Sequence, residues 1–336
     1  HEVVRESGPV DNRLRCPDLR KTGLMAAFDP TSPFRRADAL AAGLTVGQLR
    51  GPGYRQLLRG VHVSSEVEVD VRVRARAALL VAPEGAAIAR HTACELWDGW
   101  PPPDWRTHIV LPSGHDSRSA RMVGQAVDAR ASRSADGITT LAGIRVTDRV
   151  RTFLDLAADC DLVDLVAVGD SLVRRDRLDP RRLREAAATP GRHRLLARRA
   201  AALVRPRVMS RPESQLRMLL VLAGLPEPSV DVQFSDPDGR LVRRLDLGYR
   251  DHRVAVEYDG RQHADDHEQW HSDIDRREDF DNRDWRFVVV TSKGLWVEPE
   301  RTLARVVKVL RSRGADVDIS SAQWQRYFGP RHRRTA

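Results

Sequence analysis

The stretch RRLDLGYRDHRVAVEYDGRQH, residues 243–263, constrains the fold more than any other part of the chain. Two apolar runs flank the short polar segment Tyr249–His252. Asp246 interrupts the first run; Glu257 and Asp259, two residues apart, interrupt the second. Side chains alternate faces along a strand, so Glu257 and Asp259 share one face while Val254, Val256 and Tyr258 take the other. If the two runs pair as a hairpin, Asp246 lies beside Glu257. Two such charges about 5 Å apart repel by roughly 3 kcal/mol at an effective dielectric of ~20. Protons or a divalent cation must relieve that repulsion. A cluster built only of carboxylate oxygens suits Mg²⁺ or Mn²⁺, with Asp246, Glu257 and Asp259 as its ligands.

The flanking sequence gives these strands a setting. Ser210-Arg-Pro-Glu213 reads as a capping box that opens a helix through Leu222, and Gly224 ends it. Val230, Val232 and Phe234 alternate as a first strand, followed by the turn Asp236-Pro-Asp-Gly239. The two strands 241–247 and 253–259 come next. A very polar helix is expected over 265–284, then a strand at 286–291. Pro299 opens a last helix with Leu303, Val306, Val307 and Leu310 on one face. The order is α-β-β-β-α-β-α.

The segments RRLDLGY, VAVEYDGRQH, DIDRRED and DWRFVVVT, in this order, resemble the PD-(D/E)XK nuclease superfamily, more narrowly its very-short-patch-repair-like branch. The resemblance covers about residues 209–313 and implies a restriction-endonuclease-like αβββαβ core. It implies that Asp246 and Glu257 hold the metal and that Glu213 completes the acidic cluster. Asp259 stands where many members carry lysine, which leaves the general base open. His263 is a candidate base or phosphate contact. Asp273 and Arg276 support the site, with Arg276 reaching a phosphate. The branch often has glycine before the tryptophan of the last strand; here Asp284 precedes Trp285.

Each of these residues also has a plain structural reading. The three strand carboxylates can pair with Arg243, Arg244, Arg253 or Arg261. Glu213 is explained as the capping glutamate. His263, His267 and His271, four apart, can line a helix face, and Asp273 with Arg276 can be a surface ion pair.

The N-terminal segment FRRADALAAGLTVGQLRGPGYRQLLRGVHV, residues 34–63, reads as helix, tight turn, helix and small hairpin. Gly43 can end the first helix and Thr45 can cap the second. That is the pattern of a winged helix-turn-helix. Thr45, Gln48 and Arg50 would face DNA, and the hairpin would bring Arg55 and Arg59 to phosphates. A helical hairpin for protein contacts is the bland alternative. In the middle region, helices are expected over 71–81, 86–97, 150–158 and 162–173, with a strand over 107–111 and a further helix opening at Asp179-Pro180. His91 and Cys94, three apart on a helical face, read as packing residues. The N-terminal pattern, with RHTACELWDG and IRVTDRVRTFLDLA after it, resembles the AbiE-type antitoxin family of type IV toxin–antitoxin systems, whose members carry a winged helix and a larger partner domain and repress their own operons.

The expected organisation is therefore multidomain, α+β and α/β. A polar extension at 1–24, expected to be disordered, precedes a winged helix-turn-helix at 25–65, with Met25 as a candidate start. A mixed α/β, antitoxin-like middle domain spans 66–208, the nuclease-like domain 209–315, and a basic tail 316–336. Lysine and arginine together number 56 against 47 acidic residues, a net charge of +9, which suits a polyanionic partner. Only three of the 56 are lysine (Lys21, Lys293, Lys308), so a coding bias toward arginine accounts for part of this. The three cysteines have no zinc or disulfide spacing, which fits a reducing cytosol. No apolar run approaches a membrane span.

These features lead to a Mg²⁺-dependent DNA endonuclease, cytoplasmic and nucleoid-associated. DNA is its expected partner, beside a cognate toxin or a repair protein. Double-strand cutting needs two active sites or two events, so a homodimer is a further expectation. Two alternatives stand beside it. One is an antitoxin-like DNA-binding transcriptional regulator with a nuclease-fold domain that does not cut. The other makes the C-terminal domain a protein-interaction module.

Overall fold

The computed structural model describes residues 28–115, 126–131, 136–235, 241–260 and 284–329. Over these the chain is mixed α/β, with three separate sheets. None of the helices among the described residues is long and apolar enough to cross a membrane.

The N-terminal unit is small. Strand β1 (Phe34–Arg35) leads into helix α1 (Arg36–Ala41), then α2 (Val46–Arg50) and the strands β2 (Tyr54–Leu58) and β3 (Val61–Ser64). Gly43 follows α1 at φ +92°, the left-handed conformation that glycine takes cheaply. The strands form an antiparallel sheet in the order β1-β3-β2. Phe28, Phe34, Ala39, Leu44 and Leu49 make its buried core.

Helix α3 (Val71–Val81) leads to a five-stranded sheet. Its strands are β4 (Ala87–Ile88), β5 (Thr107–Leu111), β6 (Val127–Ala131), β7 (Ile138–Leu141) and β8 (Ile144–Thr147), in the order β6-β5-β4-β8-β7. A continuous helix over 86–97 was expected here, and the structure corrects it. Ala87 and Ile88 are a strand, and helix α4 occupies only Arg90–Leu96. Both strand residues are fully buried; Ile88 pairs with Ile109 on one side and Val146 on the other. Sheet pairing at the centre of this unit overrides alanine's preference for helix.

Four helices follow: α5 (Arg149–Leu156), α6 (Leu162–Val173), α7 (Pro180–Ala188) and α8 (Arg194–Leu203). The first three start at an aspartate that accepts a backbone N–H of the first turn: Asp148, Asp161 and Asp179. Helix α9 (Arg211–Leu222) packs on α6. One buried apolar cluster runs from Cys94 and Phe153 through α6, α8 and α9 to Leu310 and Phe328, so residues on both sides of position 208 share a core. Within it Arg217 and Asp170, both fully buried, pair at 2.9 Å. Asp170 also accepts from Ser214 Oγ at 2.7 Å and from the Arg205 N–H at 2.7 Å.

The C-terminal sheet comprises β9 (Ser229–Ser235), β10 (Leu241–Tyr249), β11 (Val254–Asp259) and β12 (Arg286–Thr291), in the order β12-β11-β10-β9. β9 and β10 pair antiparallel, as do β10 and β11; β11 and β12 pair parallel. Helices α10 (Ser292–Trp296) and α11 (Pro299–Ser312) complete the unit. Leu303, Val306, Val307 and Leu310 are the buried face of α11, as the sequence spacing predicts. The helix expected over 265–284 falls almost wholly on residues 261–283, outside the described residues.

Candidate functional site

Strands β10 and β11 pair with Leu247 opposite Val256 and Tyr249 opposite Val254. The ladder ends there, one residue short of Asp246 and Glu257. The Tyr258 N–H donates to Asp246 Oδ2 at 3.2 Å, fixing this carboxylate against the backbone between Glu257 and Asp259. Val254, Ala255 and Val256 are buried, whereas Glu257, Tyr258 and Asp259 are half-buried. The acidic residues therefore occupy the end of β11 where the core gives way to solvent.

Glu213 joins them from α9. Ser210 Oγ accepts the Glu213 N–H at 3.3 Å, which is the N-cap expected from sequence. The return arm differs: Glu213 Oε2 accepts from the Met209 N–H at 2.9 Å, one residue before the cap. Burial pushes the Glu213 carboxyl up, and the Asp246 charge pushes it further. Arg244 pulls it down, but that guanidinium is engaged with Asp231 Oδ1 at 2.9 Å. The structure thus places Glu213 in the field of Asp246, with Glu257 and Asp259 on the neighbouring strand. His263, Asp273 and Arg276 lie outside the described residues.

A cavity of about 270 Å³ lies at the start of α9, and Glu213, Asp246, Glu257 and Asp259 are not among its lining residues. Arg211 and Pro212 line it from the start of α9, Tyr258 from β11, and Ser292 and Trp296 from α10. The position before Trp285 also has a physical account. Asp284 sits at φ +56°, a conformation that favours glycine, and its carboxylate accepts from Arg313 at 2.8 and 2.9 Å.

In the N-terminal unit the expected DNA-facing residues divide. Thr45 and Gln48 are exposed, but each caps the other. Thr45 Oγ1 accepts the Gln48 N–H at 3.2 Å, and Gln48 Oε1 accepts the Thr45 N–H at 2.8 Å. The T-x-x-Q spacing is itself the capping-box signature. Arg55 donates to the Ser65 carbonyl at 2.8 Å. Arg50 and Arg59 are exposed.

A second cluster escaped the sequence reading. His91 on α4, His108 on β5 and Asp104 from the loop before β5 offer one ligand atom each, all within 4.8 Å of one another. The two imidazoles are 5% and 0% exposed, with ring centroids 4.6 Å apart. Burial lowers the pKa of both, that of His108 to about 4, so both are neutral at pH 7. This group can hold a metal ion. Nothing in local spacing points to it, because His91 and His108 meet only when α4 packs on β5.

No protein-family model matches the chain, and no curated protein matches it. The solved structure of the RV2827C protein from Mycobacterium tuberculosis aligns with a TM-score of 0.38 and 16% identity, over 65% of this chain and 85% of that one. A likeness of that size carries no argument about fold or function.

Proposed function

We propose that the chain is a metal-dependent phosphodiester hydrolase that cuts DNA, with its site at the ends of β10 and β11. The observation that carries this reading is the placement of the half-buried Glu213 carboxyl in the field of Asp246, which the Tyr258 N–H holds beside the acidic end of β11. The order of α9, three antiparallel strands and a fourth parallel to the third supports it, since these are the elements that the αβββαβ core implied by the motif resemblance places on either side of residues 261–283.

The donor set fits a hard cation. Glu213, Asp246 and Glu257 supply only carboxylate oxygens, which suits Mg²⁺ or Mn²⁺ over zinc. When bound, such a cation polarises the phosphodiester and lowers the pKa of a water. The chain's own contribution is placement. Tyr258 N–H holds Asp246, and Met209 N–H holds Glu213, so neither carboxylate has to be ordered when substrate arrives. Exposed Arg50 and Arg59 would supply phosphate contacts from the N-terminal unit.

Plasmid incubated with the protein in Mg²⁺ or Mn²⁺ tests the proposal. Nicking is expected from the wild type and a loss of at least about 10²-fold from Asp246→Ala and Glu257→Ala. If the wild type binds DNA equally with and without metal and nicks none, the hydrolase reading fails. A DNA-binding regulator of the antitoxin type then accounts for the chain.

A further inference from the structure

The His91–Asp104–His108 cluster lies in the middle unit, apart from the carboxylate site. We propose that these three residues form a Zn²⁺ site. Two imidazoles and a carboxylate are a borderline-soft donor set, unlike the all-oxygen set on β10, β11 and α9, and they leave a fourth position for water or another ligand.

The hydrogen bonding shows room for a cation. A carboxylate has about four lone-pair sites. At Asp104, Oδ1 accepts the backbone N–H and Nε–H of Arg106, at 2.9 and 3.0 Å. Oδ2 accepts Arg106 Nη2 at 2.7 Å. One site on Oδ2 is left, and His108 Nε2 is 3.3 Å from that oxygen. The approach is close, yet its geometry makes no hydrogen bond, and His108 Nε2 is a buried atom with no hydrogen-bond partner among the described residues. His91 Nδ1 is another. Buried nitrogens without a partner on both rings, in a group whose ligand atoms lie within 4.8 Å of one another, are costly unless something binds them.

The surroundings hold the ligands in place. Thr92 Oγ1 accepts the His108 backbone N–H at 2.9 Å and lies 3.4 Å from His108 Nδ1. A proton on Nδ1 would face that hydroxyl and leave Nε2 as the ligating atom. Arg90, Arg106 and Arg130 pair with Asp104, Asp128 and Asp159, so the neighbouring charges balance. Asp104 also lines an open groove of about 840 Å³ with Arg74, Glu95, Trp105 and Arg106, which gives a cation an entry path.

The test uses the full chain, stripped with EDTA, reloaded with Zn²⁺ and dialysed, with bound zinc measured by mass spectrometry. One equivalent per chain is expected, together with a rise in Tm on zinc addition. His91→Ala, His108→Ala and Asp104→Asn each lose the equivalent and the Tm shift; the pair Glu213→Gln and Asp246→Ala keeps both. Cobalt(II) in place of zinc is expected to give the visible absorption of a low-coordinate site, absent from the three variants. If the histidine variants do not fold, Asp104→Asn with a native circular-dichroism spectrum decides. A wild type that retains no zinc, or zinc retained by a folded Asp104→Asn chain, overturns the assignment. Neither result bears on the carboxylate site.

Discussion

Glu213 serves two ends at once. Its backbone N–H is bonded by the Ser210 cap and its carboxylate holds the Met209 N–H, so it fixes the start of α9. The same carboxylate sits in the field of Asp246, in a half-buried place that disfavours its charge. An ionised group kept where it is disfavoured costs stability that an amide would not. Glu213→Gln keeps an oxygen for Met209 and removes the charge. In EDTA it is expected to stabilise the fold by about 0.5–1 kcal/mol, read from urea unfolding, while abolishing plasmid nicking. A clear loss of stability would mean that the carboxylate is there for the helix cap alone. The Ser210 cap was legible in sequence from its S-x-x-E spacing, and the strand positions of Asp246, Glu257 and Asp259 from the apolar runs around them. Asp104 and His108 were not, because the contacts that unite them with His91 arise from packing between distant segments.

Local signals set the helices well where the sequence carries a cap. Asp148, Asp161, Asp179 and Ser210 each stand where a helix begins. Strands β6, β7 and β8 were harder to see. VDARA, ITTL and IRVT are only four or five residues long, and the β7–β8 turn is Ala142-Gly143. Both turn residues have positive φ, 48° and 79°, as a tight hairpin with a type I′ turn requires. Alanine at the first of these positions hides a turn that asparagine would announce. The junction of α6 and α9 is another feature that no local pattern reveals. Arg217→Ala would leave Asp170 buried without its cation and is expected to cost about 3–5 kcal/mol by denaturant unfolding. The double replacement Asp170→Leu with Arg217→Met is expected to recover most of that loss. A cost below about 1 kcal/mol for the single change would show that the pair does not join the two helices.

At the scale of the whole molecule, the shared core places α9 between the helices of the middle region and the C-terminal sheet. The helix that carries Glu213 is thus packed on both sides, through Arg217 to α6 and by its apolar face to β10 and β11. Such a support can hold a carboxylate against the repulsion of its neighbours until a cation arrives. Crystals of the full chain soaked in Mn²⁺, with anomalous scattering recorded at the manganese edge, test this most directly. A manganese peak about 2.1 Å from oxygens of Glu213, Asp246 and Glu257 is the expected result. Density showing those carboxylates without manganese, each closed off by an arginine, would contradict it.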